Sequence, residues 1–222
     1  MVRKILNLTT LENKEELSLN IISEILLKAK NPYMLFTGEK DSLVMLHLIS
    51  QLQHGSINLP VLHIDTTVEF SEIYKFIDKI CKLWGIRLIR ERNEVASRTI
   101  EIAEDKELCC RLLKTEALDK AIYKYGIDYL FLAKRVDEQR EDPFFAAQGK
   151  CAFVNPLSHF SEQDAWDYTK KYNLPYCSLY KKYKNFVCYH CRPVFSSSSS
   201  DKGKDMTEDK EVTKKLKALG YL

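Results

Sequence analysis

An apolar run that breaks at a glycine and restarts at helical spacing constrains this 222-residue chain more than any other stretch. Tyr33–Leu48 reads YMLFTGEKDSLVMLHL, which predicts a strand over Tyr33–Phe36, a tight turn, and a helix from about Asp41 to His54. The turn holds Thr37, Gly38, Glu39, Lys40, Asp41 and Ser42. A strand that restarts as a helix this way aims backbone N–H groups at one spot, with the positive end of the helix dipole behind them. Lys40 adds a point charge and Ser42 a hydroxyl, so the turn has the makings of a phosphate cradle. The same residues would equally serve an ordinary βα turn whose polar side chains cap the helix. Local chemistry leaves both readings open.

The rest of the chain repeats the alternation. An amphipathic helix is predicted over Leu11–Lys30, with Leu17, Leu19, Ile22, Ile25 and Leu26 on its apolar face. Pro60–Asp65 reads as a second strand, Phe70–Trp84 as a helix and Ile86–Arg90 as a third strand. A helix over Cys109–Tyr125, stopped by Gly126, precedes a buried strand at Tyr129–Ala133. Val154–Leu157 reads as a short strand or its exit, and Ser161–Tyr172 as a helix opened by a capping box of Ser161 and Asp164. Strands alternating with helices imply an α/β fold: a mostly parallel sheet covered by helices on both faces, Rossmann-like. Five serines at 196–200 break the composition. The expected organisation is therefore a domain over 1–195 followed by a flexible linker and a charged tail over 196–222.

Composition excludes several classes. A 45% apolar, 29% charged chain is globular, and its net charge of +3 comes from basic residues interleaved with 31 acids. That balance permits a nucleotide or nucleic-acid partner without arguing for one. No apolar run approaches the ~18 residues of a membrane span. MVRKILNLTTLENKEEL lacks a signal-peptide core, so a cytoplasmic protein with no membrane partner is expected. Seven cysteines in such a chain point to metal or cluster ligands rather than a disulfide framework.

TGEKDS is neither the Walker loop nor the dinucleotide fingerprint. It resembles the SGGKDS loop of the PP-loop (N-type) ATP pyrophosphatases, the adenine nucleotide alpha hydrolase-like group. It is especially similar to the loop of the ATP sulfurylase small subunit. The resemblance implies that Thr37, Gly38, Glu39, Lys40, Asp41 and Ser42 wrap the β- and γ-phosphates of ATP, with Mg²⁺, while the α-phosphate is attacked and pyrophosphate leaves. Thr37 keeps the hydroxyl of the family serine; Glu39 replaces the second glycine with a Cβ and a negative charge.

Three further segments follow in family order. Asp65 and Thr66 lie in HIDTTVEFSEIYKF, at a strand end where a nucleotide or its Mg²⁺ would sit, although either residue could simply cap the next helix. That string resembles the family's DTGWKFREM-type segment, with Asp65, Thr66, Phe70 and Ile73 in register and Thr67 in place of the glycine. Lys134–Glu141, KRVDEQRE, reads by itself as a solvated charge run. It is similar to the family's GARRDEEKSR segment, whose arginines face the anionic end of the nucleotide. Arg135 matches the first of them, Val136 replaces the second, and Arg140 is the candidate substitute.

The cysteines form two pairs, Cys109-Cys110 and Cys188-x-x-Cys191. C-x-x-C alone suits zinc, a redox dithiol or an iron–sulfur site. Adjacent helical cysteines point about 100° apart, awkward for one tetrahedral zinc and tolerable for a larger cluster. ELCCRLLKTEAL also looks like the cysteine-pair segment of the adenylylsulfate reductases. That resemblance implies a 4Fe–4S cluster held by Cys109, Cys110, Cys188 and Cys191, against a bland alternative of buried structural thiols. Cys81, Cys151 and Cys177 read as core residues, and His190 as a surface or cluster-orienting residue.

Together these segments imply an ATP-using enzyme of sulfur metabolism or sulfur transfer, with Lys40, Asp41 and Arg135 carrying the chemistry. The alternatives are a phosphoadenylylsulfate or adenylylsulfate reductase fed by thioredoxin-type electrons, and a non-catalytic nucleotide-binding subunit. Expected partners are an adenine nucleotide, a sulfur carrier, thioredoxin or a partner subunit, and a second copy of the chain in a homo-oligomer. Nucleic acid is expected only if the chain belongs to the DNA-phosphorothioation branch.

Overall fold

A computed structural model describes residues 9–102, 104–136, 151–185, 188, 194 and 195. The predicted linker and tail over 196–222, together with Arg140, His190 and Cys191, lie outside those residues. The chain opens with helix α1 (Leu11–Lys28), whose N-cap Thr10 accepts the Asn13 N–H at 3.3 Å. Strand β1 (Pro32–Leu35) then leads through the glycine turn into α2 (Lys40–Leu52). β2 (Val61–Ile64), α3 (Ser71–Trp84) and β3 (Leu88–Glu91) follow. Short helices α4 (Ala96–Thr99) and α5 (Lys106–Cys110) precede a π-helical turn at Arg111–Thr115 and α6 (Glu116–Tyr125). β4 (Tyr129–Phe131), β5 (Ala152–Val154), α7 (Glu162–Lys171) and a 3-10 turn at Ser178–Lys181 complete the domain. β6 (Tyr183–Asn185) pairs antiparallel with β7 (Val194–Phe195), and the C-x-x-C segment falls between them.

The expected parallel α/β architecture is what forms. Five strands run parallel in the order β3-β2-β1-β4-β5. β2 is buried at all four positions, as a central strand covered on both faces requires. Successive residues of one strand feed opposite cores. Met34 and Phe131 pack with Ile22 of α1, Leu46 of α2, Ile77 of α3 and Tyr168 of α7. Tyr33, Leu62 and Leu130 pack on the other face against Ala117, Leu118 and Ala121 of α6. The strand order reverses between β1 and β4, and ligands of open α/β sheets sit outside the carboxyl ends of the strands at such a point.

Several boundaries differ from the predicted ones for local reasons. α2 ends at Leu52 rather than His54, because His54 (φ 54°) and Gly55 (φ 88°) enter the left-handed region. The helix predicted over Cys109–Tyr125 begins at Lys106 and is interrupted by the π turn. A wide turn disturbs the regular ladder, and the Asn93 side-chain amide donates to the Leu112 carbonyl within it at 3.1 Å. The last parallel strand is Ala152–Val154, and Pro156 begins a turn instead of extending it. The capping box on α7 forms as predicted: Ser161 Oγ accepts the Asp164 N–H, and Asp164 accepts the Ser161 N–H. No helix among the described residues is long and apolar enough to cross a membrane.

Candidate active site

The loop after β1 is shaped by the helix beneath it. Gly38 has φ +79°, and a Cβ there would come within 3.0 Å of both Ile73 Cγ2 and Ile77 Cγ1 on α3. Both the backbone conformation and the close approach require glycine. Glu39 is the N-cap of α2 and makes no side-chain cap hydrogen bond. Ser42 Oγ donates to the Glu39 carbonyl at 2.8 Å, and Thr37 Oγ1 lies 3.2 Å from Ser42 Oγ. The polar side chains of the loop therefore tie the loop together rather than cap the helix through Glu39.

Lys40, Asp41 and Arg135 meet in a buried cluster. Asp41 Oδ2 accepts from Arg135 Nη1 and lies 3.3 Å from Lys40 Nζ. The Lys40 and Arg135 side chains are 1% and 4% exposed. Buried charges of this kind persist only when paired, and Asp41 pairs with both. The Lys40 ammonium also lies over the Trp166 and Tyr180 rings, at 5.5 and 5.3 Å. The Lys40 N–H donates to Tyr180 Oη at 3.1 Å. Burial, with Glu39 and Asp41 nearby, holds the Tyr180 phenol well above its ordinary range, so it stays neutral. Arg135 is thus no part of a solvated charge run: it binds the loop after β4 to the first turn of α2, across the point where strand order reverses.

At the end of β2, Asp65 Oδ1 accepts the Thr67 N–H at 2.9 Å and the Tyr74 hydroxyl at 2.8 Å. It closes a turn rather than capping α3, whose N-cap is Phe70. Thr67 has φ +64°, a strained conformation for a β-branched residue. It stands where the resembled segment has glycine.

A cavity of about 190 Å³ opens beside the loop. Of the predicted site residues it is lined by Thr37, Glu39 and Thr66, while Lys40, Asp41, Ser42 and Arg135 are buried and are not among its lining residues. His63, Glu69 and Lys114 also line it. His63 Nδ1 donates to the Phe36 carbonyl at 2.9 Å, a bond that only the Nδ1–H tautomer can make. His63 Nε2 lies 3.6 Å from Glu69 Oε2, too far for a hydrogen bond, and both atoms are buried without a hydrogen-bond partner among the described residues. Burial lowers the His63 pKa and pushes the Glu69 carboxyl up to about 8. Periodicity gives no sign of either residue. The one signal for Glu69 is that the resembled segment carries lysine at its place.

Cys109 and Cys188, far apart in sequence, share a buried apolar cluster with Val68, Ala96 and Leu113. The six described cysteines are all thiols, and Cys110 follows Cys109 directly at the start of the π turn. Among the described residues no group of three or more His, Cys, Asp or Glu side chains is arranged to hold a metal ion.

The fold and this loop define a nucleotide-binding α/β protein of the PP-loop ATP pyrophosphatase superfamily. Within it, residues 31–193 match the phosphoadenosine phosphosulfate reductase domain, and the chain belongs to that family. Sulfate adenylyltransferase subunit 2 of Shigella dysenteriae is 32% identical over 206 residues, covering 79% of this chain and 68% of that one. Among solved structures, phosphoadenylyl-sulfate reductase from Candida auris superposes with a TM-score of 0.65 at 18% identity, covering 83% of this chain and 98% of that one. The U34-tRNA thiolase of Methanococcus maripaludis, solved with its 4Fe–4S cluster, superposes at 0.58 with 16% identity, covering 76% of this chain and 66% of that one. The last two likenesses concern the fold.

Proposed function

We propose that the chain is an ATP-using enzyme of sulfur metabolism that acts at the α-phosphate and releases pyrophosphate. The observation that carries this reading is the buried Asp41–Arg135 pair, which joins the loop after β1 to the loop after β4 where a nucleotide of an open α/β sheet binds. Gly38 keeps the loop close to α3, and the first turn of α2 supplies backbone dipoles for the leaving pyrophosphate. Lys40 and Arg135 place positive charge behind that turn, where charge develops as the α-phosphorus is attacked. Mg²⁺ would arrive with the nucleotide, and the Thr37 and Ser42 hydroxyls are oxygen donors in the loop.

Cys109, Cys110, Cys188 and Cys191 would hold a 4Fe–4S cluster. The presence of Cys109 and Cys188 in one buried apolar cluster supports this, since cysteine sulfurs are the ligands that iron–sulfur clusters use. When bound, the cluster would supply a sulfur-handling or structural centre beside the cavity. The family match favours one second reading, a sulfonucleotide reductase that releases sulfite with electrons from a thioredoxin-type dithiol. The relationship to a sulfate adenylyltransferase subunit makes a partner subunit the expected assembly.

One experiment separates these readings. Protein purified without oxygen is incubated with Mg²⁺-ATP and, separately, with adenylylsulfate and a dithiol, and its metal content is measured. Pyrophosphate from ATP supports the proposal, and sulfite from adenylylsulfate supports the reductase. Neither product would leave the non-catalytic subunit. Zinc in place of iron would overturn the cluster.

A further inference from the structure

His63 and Glu69 both line the cavity, and each holds a buried side-chain atom without a hydrogen-bond partner among the described residues; their chemistry is complementary. The Nδ1–H of His63 is committed to the Phe36 carbonyl, so the neutral ring offers a bare Nε2, an acceptor. That side chain is 2% exposed. Glu69 Oε2 lies 3.6 Å away, also without a hydrogen-bond partner, on a side chain that is 13% exposed. Buried polar atoms left unmet destabilise a fold, a cost that a bound group removes.

The charge around Glu69 decides what it offers. Lys114 favours its ionised form, whereas Asp65, Glu39 and Cys188 disfavour it, and burial outweighs them all. His63 and Tyr74 are its other titratable neighbours, and burial keeps the first neutral and raises the second. With a carboxyl pushed up to about 8, Glu69 presents an O–H donor at neutral pH, beside the His63 acceptor. The walls are apolar, with Leu35, Phe36, Ile64, Ile73 and Leu118 among them. A cavity of about 190 Å³ lies below the roughly 300–1,000 Å³ of sites for drug-sized ligands, so it has room for one ring system and not a whole nucleotide.

We propose that His63 and Glu69 are a specificity pair that reads the N6/N1 edge of an adenine ring: Glu69 donates to N1 and His63 Nε2 accepts from the N6 amino group. Guanine offers the opposite pattern, O6 as an acceptor and N1–H as a donor, and mismatches both. Because Glu69 stands where the resembled segment has lysine, the pair belongs to this chain and not to the motif. The inference rests on the proposed function, in which the phosphates of the same nucleotide lie on the loop after β1.

The test measures binding of ATP, GTP and inorganic pyrophosphate, each with Mg²⁺, to the full chain at neutral pH. The wild type should prefer ATP to GTP by about tenfold or more, the worth of one buried hydrogen bond. Glu69→Gln keeps a donor and should keep the preference. Glu69→Leu should lose about tenfold in ATP affinity with pyrophosphate binding unchanged. An unchanged ATP-to-GTP ratio in a folded Glu69→Leu protein, or no preference in the wild type, would overturn the pair while leaving the phosphate site standing. A wild type that binds neither ATP nor pyrophosphate would overturn the proposed function and the pair together.

Discussion

Glu69 and Thr67 sit within three residues of each other, and each departs from what its position would ordinarily hold. Thr67 takes a left-handed conformation that glycine adopts without strain, while its N–H closes the Asp65 turn. Glu69 buries a carboxyl, and its sign in the pH dependence of stability is definite. Its folded pKa of about 8 lies above the ordinary 4.5, so the unfolded chain releases this proton first. Stability should therefore fall as pH rises from about 4.5 to about 8. His63 runs the other way: its lowered pKa means stability is lost as pH falls below its ordinary 6.5. Denaturant titrations of wild type and Glu69→Gln at pH 5 and pH 8 check this. The variant should lack the decline in that window, and equal declines in both proteins would refute the buried neutral acid.

At the scale of elements, the π turn is the feature that periodicity did not reveal. Residues 109–125 show continuous helical spacing, and nothing in the pattern marks the wide turn at Arg111–Thr115. Its support comes from outside the helix: Asn93, from the segment after β3, donates to the Leu112 carbonyl. Asn93 Oδ1 also accepts the Ala96 N–H at 3.3 Å, so one buried side chain serves α4 and the π turn together. Asn93→Ala should cost about 1–3 kcal/mol in a denaturant titration, because it removes the donor to the Leu112 carbonyl and the acceptor of the buried Ala96 N–H. A loss below about 0.5 kcal/mol would show that the π turn holds without it. The α7 start, in contrast, was legible, because a capping box is written in four consecutive residues and formed within them.

Across the whole molecule, the Asp41–Arg135 pair holds two loops that the sheet delivers from different strands. Arg135→Gln removes the guanidinium from a buried ion pair with Asp41. It should destabilise the protein by about 3–5 kcal/mol and abolish pyrophosphate release. Full turnover in a folded Arg135→Gln protein would separate the pair from catalysis. The sequence by itself determined the α/β class, the glycine turn and the helices with local start signals, because these depend on hydrophobic period and on side chains within a few residues of each other. The family likewise followed from short strings in their order along the chain. Only the tertiary structure decided that Arg135 is buried against Asp41, that Lys40 lies over Trp166 and Tyr180, and that Cys109 and Cys188 share a buried apolar cluster. It alone brought His63 and Glu69 into one cavity. The Asp41–Arg135 meeting depends on parallel strands bringing distant segments to one edge of a sheet, and no local period records which distant segments will meet there.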